Sequence, residues 1–318
     1  MPCEQKRSTV LSIIDVILLL AEFCVYLVRV GYIITFSFFN IFFTLNAKSL
    51  KGKIVVITGA GGGLGQELSK ILAKEGAILV LIDRNVQSNL KTAQKIKKVG
   101  GKCSYFICDI TDRSSVYSLA EKITAEIGPV DILINNAGVV LGGNTILDLD
   151  DQDIEKTINT NTVSHFWLTK AFLPEMSKRN SGHIVTIASI VGKSAIGSLS
   201  AYCTSKFACV GFHESLQCDL RKLSLHGIKT TLVCPFMLDT SMFEGVAVRF
   251  NCLRPASSSR CAREIVRAIK LNKDELYFPG YLYYIMLVKM IIPTEAYQLI
   301  HDFVKSGFGM DTWKSKLQ

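Results

Sequence analysis

The sequence predicts an α/β domain in which helices cover both faces of a doubly wound parallel sheet, preceded by a hydrophobic N-terminal segment. Short β-branched runs alternate with amphipathic helical patterns between residues 50 and 280. A glycine-rich loop lies between the first of these runs and the first helix. Continuous apolar strands that alternate with helices are typical of parallel sheets covered on both faces.

Residues 10–45 form a mostly apolar segment, which we interpret as a retained membrane anchor within a region of residues 1–49. A spanning helix needs about 20 apolar residues, and this segment is longer but is interrupted by Asp15, Glu22 and Arg29. These three residues are evenly spaced, so on a helix they form one narrow polar stripe. A cleaved secretory signal is disfavoured because the apolar part is too long. A spanning helix and a hairpin both stay open.

The composition excludes several classes of protein. A chain of 318 residues with 49% hydrophobic and 20% charged residues is not intrinsically disordered. The net charge of +9 is spread along the chain, which favours a protein near an anionic membrane over one that binds nucleic acid. The ten cysteines form no CxxC pair and the five histidines are dispersed, so no metal site is predicted. Irregular cysteine spacing indicates a reducing compartment, with the catalytic domain in the cytosol.

The first predicted strand, residues 53–58, leads into the loop TGAGGGLG at residues 58–65. Glycines let the backbone turn tightly and approach a pyrophosphate, and the N-terminus of the helix predicted at 64–75 supplies free N–H groups. This context predicts a Rossmann-type dinucleotide site. The contact residues expected from this loop are Thr58, Gly59, Gly63, Leu64 and Gly65.

The second predicted strand, residues 77–82, ends next to Asp83. A carboxylate at this position can accept hydrogen bonds from both ribose hydroxyls of the adenosine and repels a 2′-phosphate. The sequence therefore predicts NAD rather than NADP as the cofactor. Arg84 weakens this argument because an arginine can turn toward a phosphate, whereas the lack of a basic residue in the glycine loop strengthens it.

Further elements complete the predicted domain. Apolar runs predict strands at residues 104–108, 132–134, 183–188 and 229–233. Helical patterns lie at residues 86–98, 114–127, 151–172, 200–223 and 258–270. No internal repeat and no low-complexity linker divides residues 50–280, so these elements predict a single Rossmann-type domain.

Tyr202 and Lys206 are the candidate catalytic pair, with Ser189 at the end of a predicted strand. A spacing of four residues places Tyr202 and Lys206 on one face of a helix. Removing hydride from an alcohol requires that its proton leave as well, and a free tyrosine with a pKa near 10 is a poor base at neutral pH. We expect the Lys206 ammonium to lower the pKa of Tyr202 and the Ser189 hydroxyl to hold the substrate oxygen.

The glycine loop, the run Asn-Asn-Ala-Gly at 135–138, Ser189 and Tyr202-x-x-x-Lys206 resemble the classical short-chain dehydrogenase/reductase superfamily over about residues 50–280. The resemblance implies that Asn161 is the catalytic asparagine, which holds a water on the lysine, with Asn159 as the alternative. The further cofactor contacts that the resemblance implies are Asp109, Ile110, Asn136, Ala137, Gly138, Tyr202, Lys206, Pro235 and Thr240.

One departure from the family falls in the loop after the sixth predicted strand. Members of the family usually have glycine after the proline of this loop, whereas here Pro235 is followed by Phe236. We therefore expect a stiffer loop with altered contacts to the nicotinamide.

Within this superfamily the chain looks most like the membrane-associated epidermal retinol dehydrogenases and the lipid-droplet 17-beta-hydroxysteroid dehydrogenases, on words such as AFLP at 171–174 and VCPF at 233–236. The resemblance implies NAD-dependent oxidation of a lipophilic alcohol, all-trans-retinol or a hydroxysteroid. It also implies contact with membrane lipid at the endoplasmic reticulum or at lipid droplets. Homo-oligomerisation stays open. The alternative function is a membrane-tethered protein that binds dinucleotide or lipid without catalysis.

The C-terminal region, residues 281–318, is predicted to be an apolar and helical extension. An apolar block at 276–293 begins just before this region. Pro279 and Gly280 break the block and Lys289 lies inside it, which disfavours a second membrane span. Packing at the edge of the sheet and a lid or membrane-facing substrate mouth are equally favoured interpretations.

Overall fold

A computed structural model describes residues 13–42, 47–141, 143–243, 246 and 254–305. The chain divides into two compact units, Met1–Ala47 and Lys48–Gln318. The outer parts of the predicted anchor, residues 1–12 and 43–46, lie outside the described residues, as do residues 306–318 of the C-terminal extension.

The first unit contains one long helix, α1 (Ile13–Phe42). Its side chains from Val16 to Tyr32 are exposed, Glu22 and Arg29 among them. The Arg29 guanidinium lies 6.0 Å from the centroid of the Tyr26 ring. In the described part of the chain, no helix has both the length and the apolar sequence needed to cross a membrane.

The second unit is built on a sheet of seven strands, each paired in parallel with its neighbours. The strands are β1 (Ile54–Thr58), β2 (Ile78–Asp83), β3 (Lys102–Ile107), β4 (Ile132–Asn135), β5 (Gly182–Ile187), β6 (Ile228–Pro235) and β7 (Glu275–Phe278). Their order across the sheet is β3-β2-β1-β4-β5-β6-β7. The chain reverses its direction of travel between β1 and β4, and ligands bind at such a point in doubly wound sheets.

Helices cover both faces of this sheet. They are α2 (Gly63–Lys74), α3 (Val86–Lys98), α4 (Arg113–Glu126), α5 (Asp151–Ile158), α6 (Ser164–Lys178), α7 (Ser200–Lys222), α8 (Ser258–Lys270), α9 (Tyr281–Ile291) and α10 (Thr294–Lys305). Apolar residues of α2, α3 and α8 pack on one face of the sheet, and those of α4, α6 and α7 pack on the other. Because both faces are buried, the central strands are mostly apolar, as in β1, whose five residues are all buried.

The structure confirms the predicted doubly wound parallel sheet and adds detail that the sequence pattern did not indicate. All six predicted strands are present with ends shifted by a few residues, whereas β7 was not predicted separately. The predicted helix at 151–172 continues to Lys178 and contains a π-helical turn, Asn159–Val163. Such turns place an extra residue in a helix and occur frequently at functional sites. The turn here carries Asn161.

Candidate active site

A cavity of about 970 Å³ opens at the carboxyl ends of the strands. Its lining combines the glycine loop after β1, the residues that follow the neighbouring strands, and the first turns of α7. The site therefore lies where the strand order reverses, and it brings together segments that are far apart in sequence.

The glycine loop has a backbone that other residues would disturb. Gly59 has a φ of +64°, and a Cβ there would lie 2.8 Å from Ala137 Cα. A Cβ at Gly65 would lie 2.2 Å from Gly59 O. At the start of α2, Gly62 offers no side-chain cap, so the first N–H groups of this helix stay available to a ligand. This cradle of close backbone contacts fits a pyrophosphate.

Asp83 lies at the end of β2 on the rim of the cavity, as predicted. One carboxylate oxygen accepts a hydrogen bond from Gly61 N at 2.8 Å, and the other accepts one from Asn85 N at 2.9 Å. Arg84 lines the same part of the cavity. The carboxylate thus shapes the glycine loop in addition to presenting a negative charge to the site, a role that the sequence pattern did not indicate.

Thr58 and Asn136 fasten the glycine loop to the neighbouring strand. The Thr58 hydroxyl accepts hydrogen bonds from Asn136 N at 3.0 Å and Ala137 N at 3.1 Å. The Asn136 side chain donates to Thr58 O at 2.8 Å and Gly59 O at 3.3 Å. This arrangement fits the supporting role that the resemblance implies for residues 136–138. Thr58 is fully buried beneath the loop.

The predicted catalytic side chains Ser189, Tyr202 and Lys206 all line the cavity. Ser189 follows β5, and its hydroxyl hydrogen-bonds with Tyr202 and with Pro235 O, the latter at 3.3 Å. Lys206 Nζ donates to Ile187 O at 3.0 Å and lies 5.8 Å from the centroid of the Tyr202 ring. Tyr202 and Lys206 are both about 5% exposed. The end of β5 and the helical spacing within α7 thus bring the three predicted groups to one cavity.

Burial dominates the ionisation of this pair. It raises the pKa of Tyr202 above its ordinary value, and the hydrogen bond from Ser189 opposes this only in part. It also lowers the pKa of Lys206. The net shift of the Tyr202 pKa is upward because desolvation disfavours the phenolate form, and the lowering expected from Lys206 stays a prediction.

Asn161 is fully buried, whereas the alternative, Asn159, is exposed. The Asn161 side chain accepts from Val139 N at 2.8 Å and donates to Val139 O and to Ser205 Oγ, both at 2.9 Å. It therefore ties the loop after β4 to α7. Its backbone oxygen faces Cys209 Sγ at 2.9 Å. Position 161 is thus the one that contacts α7, and its side chain connects two elements rather than lining the cavity.

The loop after β6 closes the cavity opposite the glycines. Pro235, Phe236 and Thr240 line it, and a Cβ at Gly63 would lie 2.6 Å from Thr240 Cγ2. Phe236 N donates to Phe278 O at 2.7 Å, so this loop begins by extending the pairing of β6 with β7. That pairing gives a physical basis for the expected stiffness of the loop.

An apolar cluster adjoins Tyr202, and the sequence did not identify it. Its buried members are Val140, Ile190, Val191, Leu199, Tyr202, Cys203, Leu282 and Met286. Leu282 and Met286 belong to α9, whereas most other apolar side chains of that helix are exposed. Packing is thus confirmed for one face of α9, which lies against residues of α7, whereas the lid or membrane-facing substrate mouth stays a prediction. Alternating exposure in a short apolar run is hard to recognise from sequence alone.

The remaining predicted contacts, Asp109, Ile110 and Gly138, also line the cavity, together with Leu64. Asp109 accepts hydrogen bonds from the backbone and hydroxyl of Thr111. The cavity further includes residues that the sequence analysis did not select: Val139, Lys156, Leu238, Met242 and Phe243. One cavity is thus lined by the glycine loop, by Asp83 at the end of β2, and by Ser189, Tyr202 and Lys206. This combination fits a nicotinamide dinucleotide.

Comparisons with known proteins agree with this geometry. A family model described as short chain dehydrogenase matches residues 53–248. The chain is 40% identical over 280 residues to Retinol dehydrogenase 10-B of Danio rerio, covering 81% of this chain and 83% of that protein. It is 42% identical over 259 residues to Epidermal retinol dehydrogenase 2 of Mus musculus, covering 81% and 84%.

Two solved structures are similar as well. The crystal structure of a short chain dehydrogenase/reductase from Burkholderia phymatum in complex with NAD has a TM-score of 0.69 and 25% identity, covering 79% of this chain and 96% of that chain. A metagenomic short-chain oxidoreductase in complex with NADP has a TM-score of 0.61 and 26% identity, covering 72% and 98%.

Proposed function

The chain belongs to the short-chain dehydrogenase family, and from this membership we propose that it oxidises a lipophilic alcohol with NAD, all-trans-retinol to retinal being the first candidate reaction. The observation that carries the proposal is the convergence of Ser189, Tyr202 and Lys206 between a dinucleotide-shaped cavity and an apolar cluster. The names of the relatives support a retinoid as substrate.

In the proposed reaction Tyr202 accepts the hydroxyl proton of the alcohol, and bound NAD serves as the hydride acceptor. Ser189 holds the substrate oxygen through its hydroxyl, which lies beside Tyr202. The Lys206 ammonium stabilises the phenolate form of Tyr202, which burial alone disfavours. Asn161 positions α7 through Ser205 and so keeps Lys206 in place. The apolar cluster around Tyr202, to which α9 contributes Leu282 and Met286, excludes water from the neighbourhood of the reacting oxygen.

NAD is proposed in preference to NADP because Asp83 places its carboxylate on the rim of the cavity beyond the glycine loop. A 2′-phosphate next to this charge would be repelled, whereas ribose hydroxyls can donate hydrogen bonds to it. Arg84 lines the cavity next to Asp83. The Asp83 carboxylate is held in place by hydrogen bonds from Gly61 N and Asn85 N.

We also propose that the protein associates with membrane lipid at the endoplasmic reticulum or at lipid droplets, with its catalytic domain in the cytosol. In α1, large apolar side chains are exposed from Val16 to Val30, which favours contact with lipid over contact with water. In the second unit, α9 exposes Tyr284, Met290 and Ile291 by 68%, 83% and 81%. A retinoid or a steroid dissolves in lipid, so enzyme and substrate would then share one phase.

The test is NADH formation by membranes that contain the full-length protein. All-trans-retinol, a 17β-hydroxysteroid and a short water-soluble alcohol are supplied separately, each with NAD, and membranes carrying Tyr202→Phe serve as the control. We expect NADH above the control with retinol. Turnover of the steroid alone would replace retinol by a hydroxysteroid as substrate. NADH at control level with every alcohol would favour the non-catalytic alternative.

A further inference from the structure

The segment that begins at Ser189 forms a tight turn, residues 189–194, which we call the Ser189 turn. The Ser189 hydroxyl accepts a hydrogen bond from Val191 N at 3.3 Å, and Gly192 N donates to Ser189 O at 3.0 Å. The next two backbone N–H groups of the turn donate to one oxygen, that of Ile190, at 2.9 and 3.0 Å. The position of the Ser189 hydroxyl therefore depends on the backbone of this turn.

The Ser189 turn lies directly against the helix that contains Tyr202 and Lys206. A Cβ at Gly192 would lie 2.5 Å from Lys206 O, so the two backbones are in close contact. The Ser189 hydroxyl also hydrogen-bonds with Tyr202. A displacement of the turn would thus change the position of Ser189 relative to Tyr202.

Two C-terminal helices contact the end of this turn with polar groups. Lys289 of α9 donates a hydrogen bond from Nζ to Lys193 O. The Tyr297 hydroxyl of α10 hydrogen-bonds with the Ser194 hydroxyl. The Lys289 ammonium also lies 5.3 Å from the centroid of the Tyr297 ring, a distance at which a cation is attracted to an aromatic face. The two helices therefore hold adjacent residues of the turn through adjacent side chains.

The inner face of α9 adds apolar packing to this polar contact. Leu282, Met286 and Lys289 are spaced four and three residues apart, which places them on one face of the helix. Leu282 and Met286 belong to the same buried cluster as Ile190 and Val191 of the turn. One helical face thus contacts the Ser189 turn both through apolar side chains and through an ammonium.

The side chain of Lys193 holds the same residue from another direction. Its ammonium lies 3.2 Å from a carboxylate oxygen of Glu275 in β7 and 3.6 Å from one of Glu214 in α7. These carboxylates compensate the charge of Lys193, so the Lys289 ammonium can lie near it without net repulsion. Lys193 is therefore attached to β7 and α7 by its side chain and to α9 by its backbone oxygen.

We propose that Lys289 and Tyr297 are positioning residues, which fix the Ser189 turn and thereby hold the Ser189 hydroxyl beside Tyr202. The short chain dehydrogenase model matches residues 53–248, so both residues lie in a part of the chain beyond that match. A hydroxyl that must contact the substrate oxygen is sensitive to a displacement of about 1 Å. The kinetic consequence rests on the proposed function, whereas the fixing of the turn does not.

Hydrogen–deuterium exchange of the full-length protein in detergent tests the inference without turnover. Lys289→Met keeps an unbranched apolar chain and removes the ammonium. We expect the amides of residues 192–194 to exchange about tenfold faster in this variant, because the turn opens more often, and those of residues 59–65 to be unchanged. Lys98→Met, the same change at an exposed position of α3, is the matched control and is expected to alter neither rate. Unchanged exchange of residues 192–194 in Lys289→Met would overturn the inference.

Tyr297→Phe tests the second contact with a smaller change. It removes the hydroxyl that bonds Ser194 and keeps the ring beside Lys289. We expect the amide of Ser194 to exchange about threefold faster in this variant. Unchanged exchange would overturn the role of Tyr297. If Lys289→Met does not fold, this nearly isosteric variant decides the inference as a whole.

The kinetic test compares Lys289→Met with Lys289→Arg, which keeps a charged donor for Lys193 O. We expect Lys289→Met to lower kcat about tenfold with KM for NAD within about twofold, and Lys289→Arg to restore most of the loss. Equal kcat values for Lys289→Met and the unchanged protein, at matched folding, would overturn the kinetic role of Lys289, and so would equal losses in the two variants. Absence of turnover in the unchanged protein would instead refute the proposed function, and the exchange experiment would then decide the inference by itself.

Discussion

Tyr202 and Lys206 are an ionisable pair whose neutral forms are both favoured by burial. The pKa of the tyrosine is raised and that of the lysine is lowered, each mainly by desolvation. A phenolate at Tyr202 is therefore best stabilised when Lys206 is charged at the same time, because each charge compensates the desolvation of the other. This coupling explains why a tyrosine alone, without a lysine one helical turn away, would be a poor base at this position.

Tyr202→Phe tests the proposed base. The aromatic ring stays in the apolar cluster with Val140 and Leu282 while the ionisable oxygen is removed. We expect folding and NAD binding to be kept and turnover to be nearly abolished. The measurement is kcat together with NAD affinity. A variant that keeps more than about a tenth of the rate, a loss below about 1.4 kcal/mol of barrier, would contradict the assignment.

Asp83→Asn tests the cofactor preference at the same scale. Because Asp83 also accepts hydrogen bonds from Gly61 N and Asn85 N, truncation to alanine would disturb the loop as well as the charge. Asparagine keeps an acceptor and removes the charge. We expect the ratio of kcat/KM for NAD to that for NADP to fall about tenfold, a difference of about 1.4 kcal/mol. Asp83→Ala also removes the acceptors of Gly61 N and Asn85 N, so comparing the two variants shows how much of the change in kinetics comes from disturbing the loop. Equal kinetics with both cofactors in the unchanged protein would refute the predicted preference.

At the scale of elements, the sequence indicated those parts whose local pattern is strong. β1, β2 and the helices that follow them are continuous apolar or amphipathic runs, and their ends were predicted within a few residues. β7 was not predicted because it has only four residues, of which only Phe278 is buried, so it shows little periodicity. The π-helical turn around Asn161 could not be predicted, because it arises from tertiary packing against α7 rather than from any residue preference.

In the candidate site, too, the residues that could be predicted from sequence are those that lie in strong local patterns. Ser189, Tyr202 and Lys206 follow from a strand end and a helical spacing, and the structure places them together. Lys206 donates to a backbone oxygen, that of Ile187, and such a contact has no signature in sequence. His165 and His213 are far apart in sequence, and only the fold brings their helices side by side.

A pair of glycine substitutions tests the loop as an element. In Gly65→Ala the added Cβ would lie 2.2 Å from Gly59 O, a backbone atom that cannot move without opening the loop. We expect a loss of about 1–3 kcal/mol in the free energy of unfolding and a loss of NAD binding. Gly211→Ala is the matched control, since this exposed position inside α7 has nothing within 4 Å. That change is expected to stabilise the protein by about 0.5–1 kcal/mol. Urea unfolding and NAD titration of both variants provide the measurement, and similar effects of the two changes would contradict this account.

At the scale of the whole molecule, three buried histidines make stability depend on pH. Burial lowers the pKa of His165 and His183 to about 3 and that of His213 to about 4. Unfolded histidines keep a pKa near 6.5, so below this pH the unfolded chain binds protons that the folded chain excludes. The stabilisation is complete above about pH 6.5. As pH falls toward the folded values, the free energy of unfolding should drop by about 1.4 kcal/mol per pH unit for each histidine.

Urea unfolding of the full-length protein in detergent between pH 7.5 and 5 measures this dependence. His183→Gln should reduce the slope of the free energy of unfolding against pH by the contribution of one histidine, because glutamine does not titrate. A free energy of unfolding that stays constant over this range would show that the histidines are protonated in the folded protein.

Removal of residues 1–46 tests how the whole molecule meets its substrate. The deletion takes away α1 and leaves Lys48, whose backbone N donates to Lys270 O at 2.8 Å and whose Nζ hydrogen-bonds with His183 at 2.7 Å. All proposed dinucleotide and catalytic residues remain. We therefore expect the truncated protein to bind NAD with unchanged affinity and to leave the membrane fraction in part, because α9 keeps its exposed apolar side chains.

Fractionation in high salt and at alkaline pH, on full-length and truncated chains, separates the two kinds of attachment. Salt screens a protein held by its net charge of +9 but leaves an inserted apolar helix in place. A retinoid gains about 0.8 kcal/mol per CH₂ on entering lipid, so activity toward a membrane-dissolved alcohol should fall more on truncation than activity toward a short soluble one. If the full-length protein washes off in salt, residues 10–45 are not inserted and the proposed membrane association fails, whereas the dehydrogenase activity would still stand on the cavity and its Ser–Tyr–Lys group.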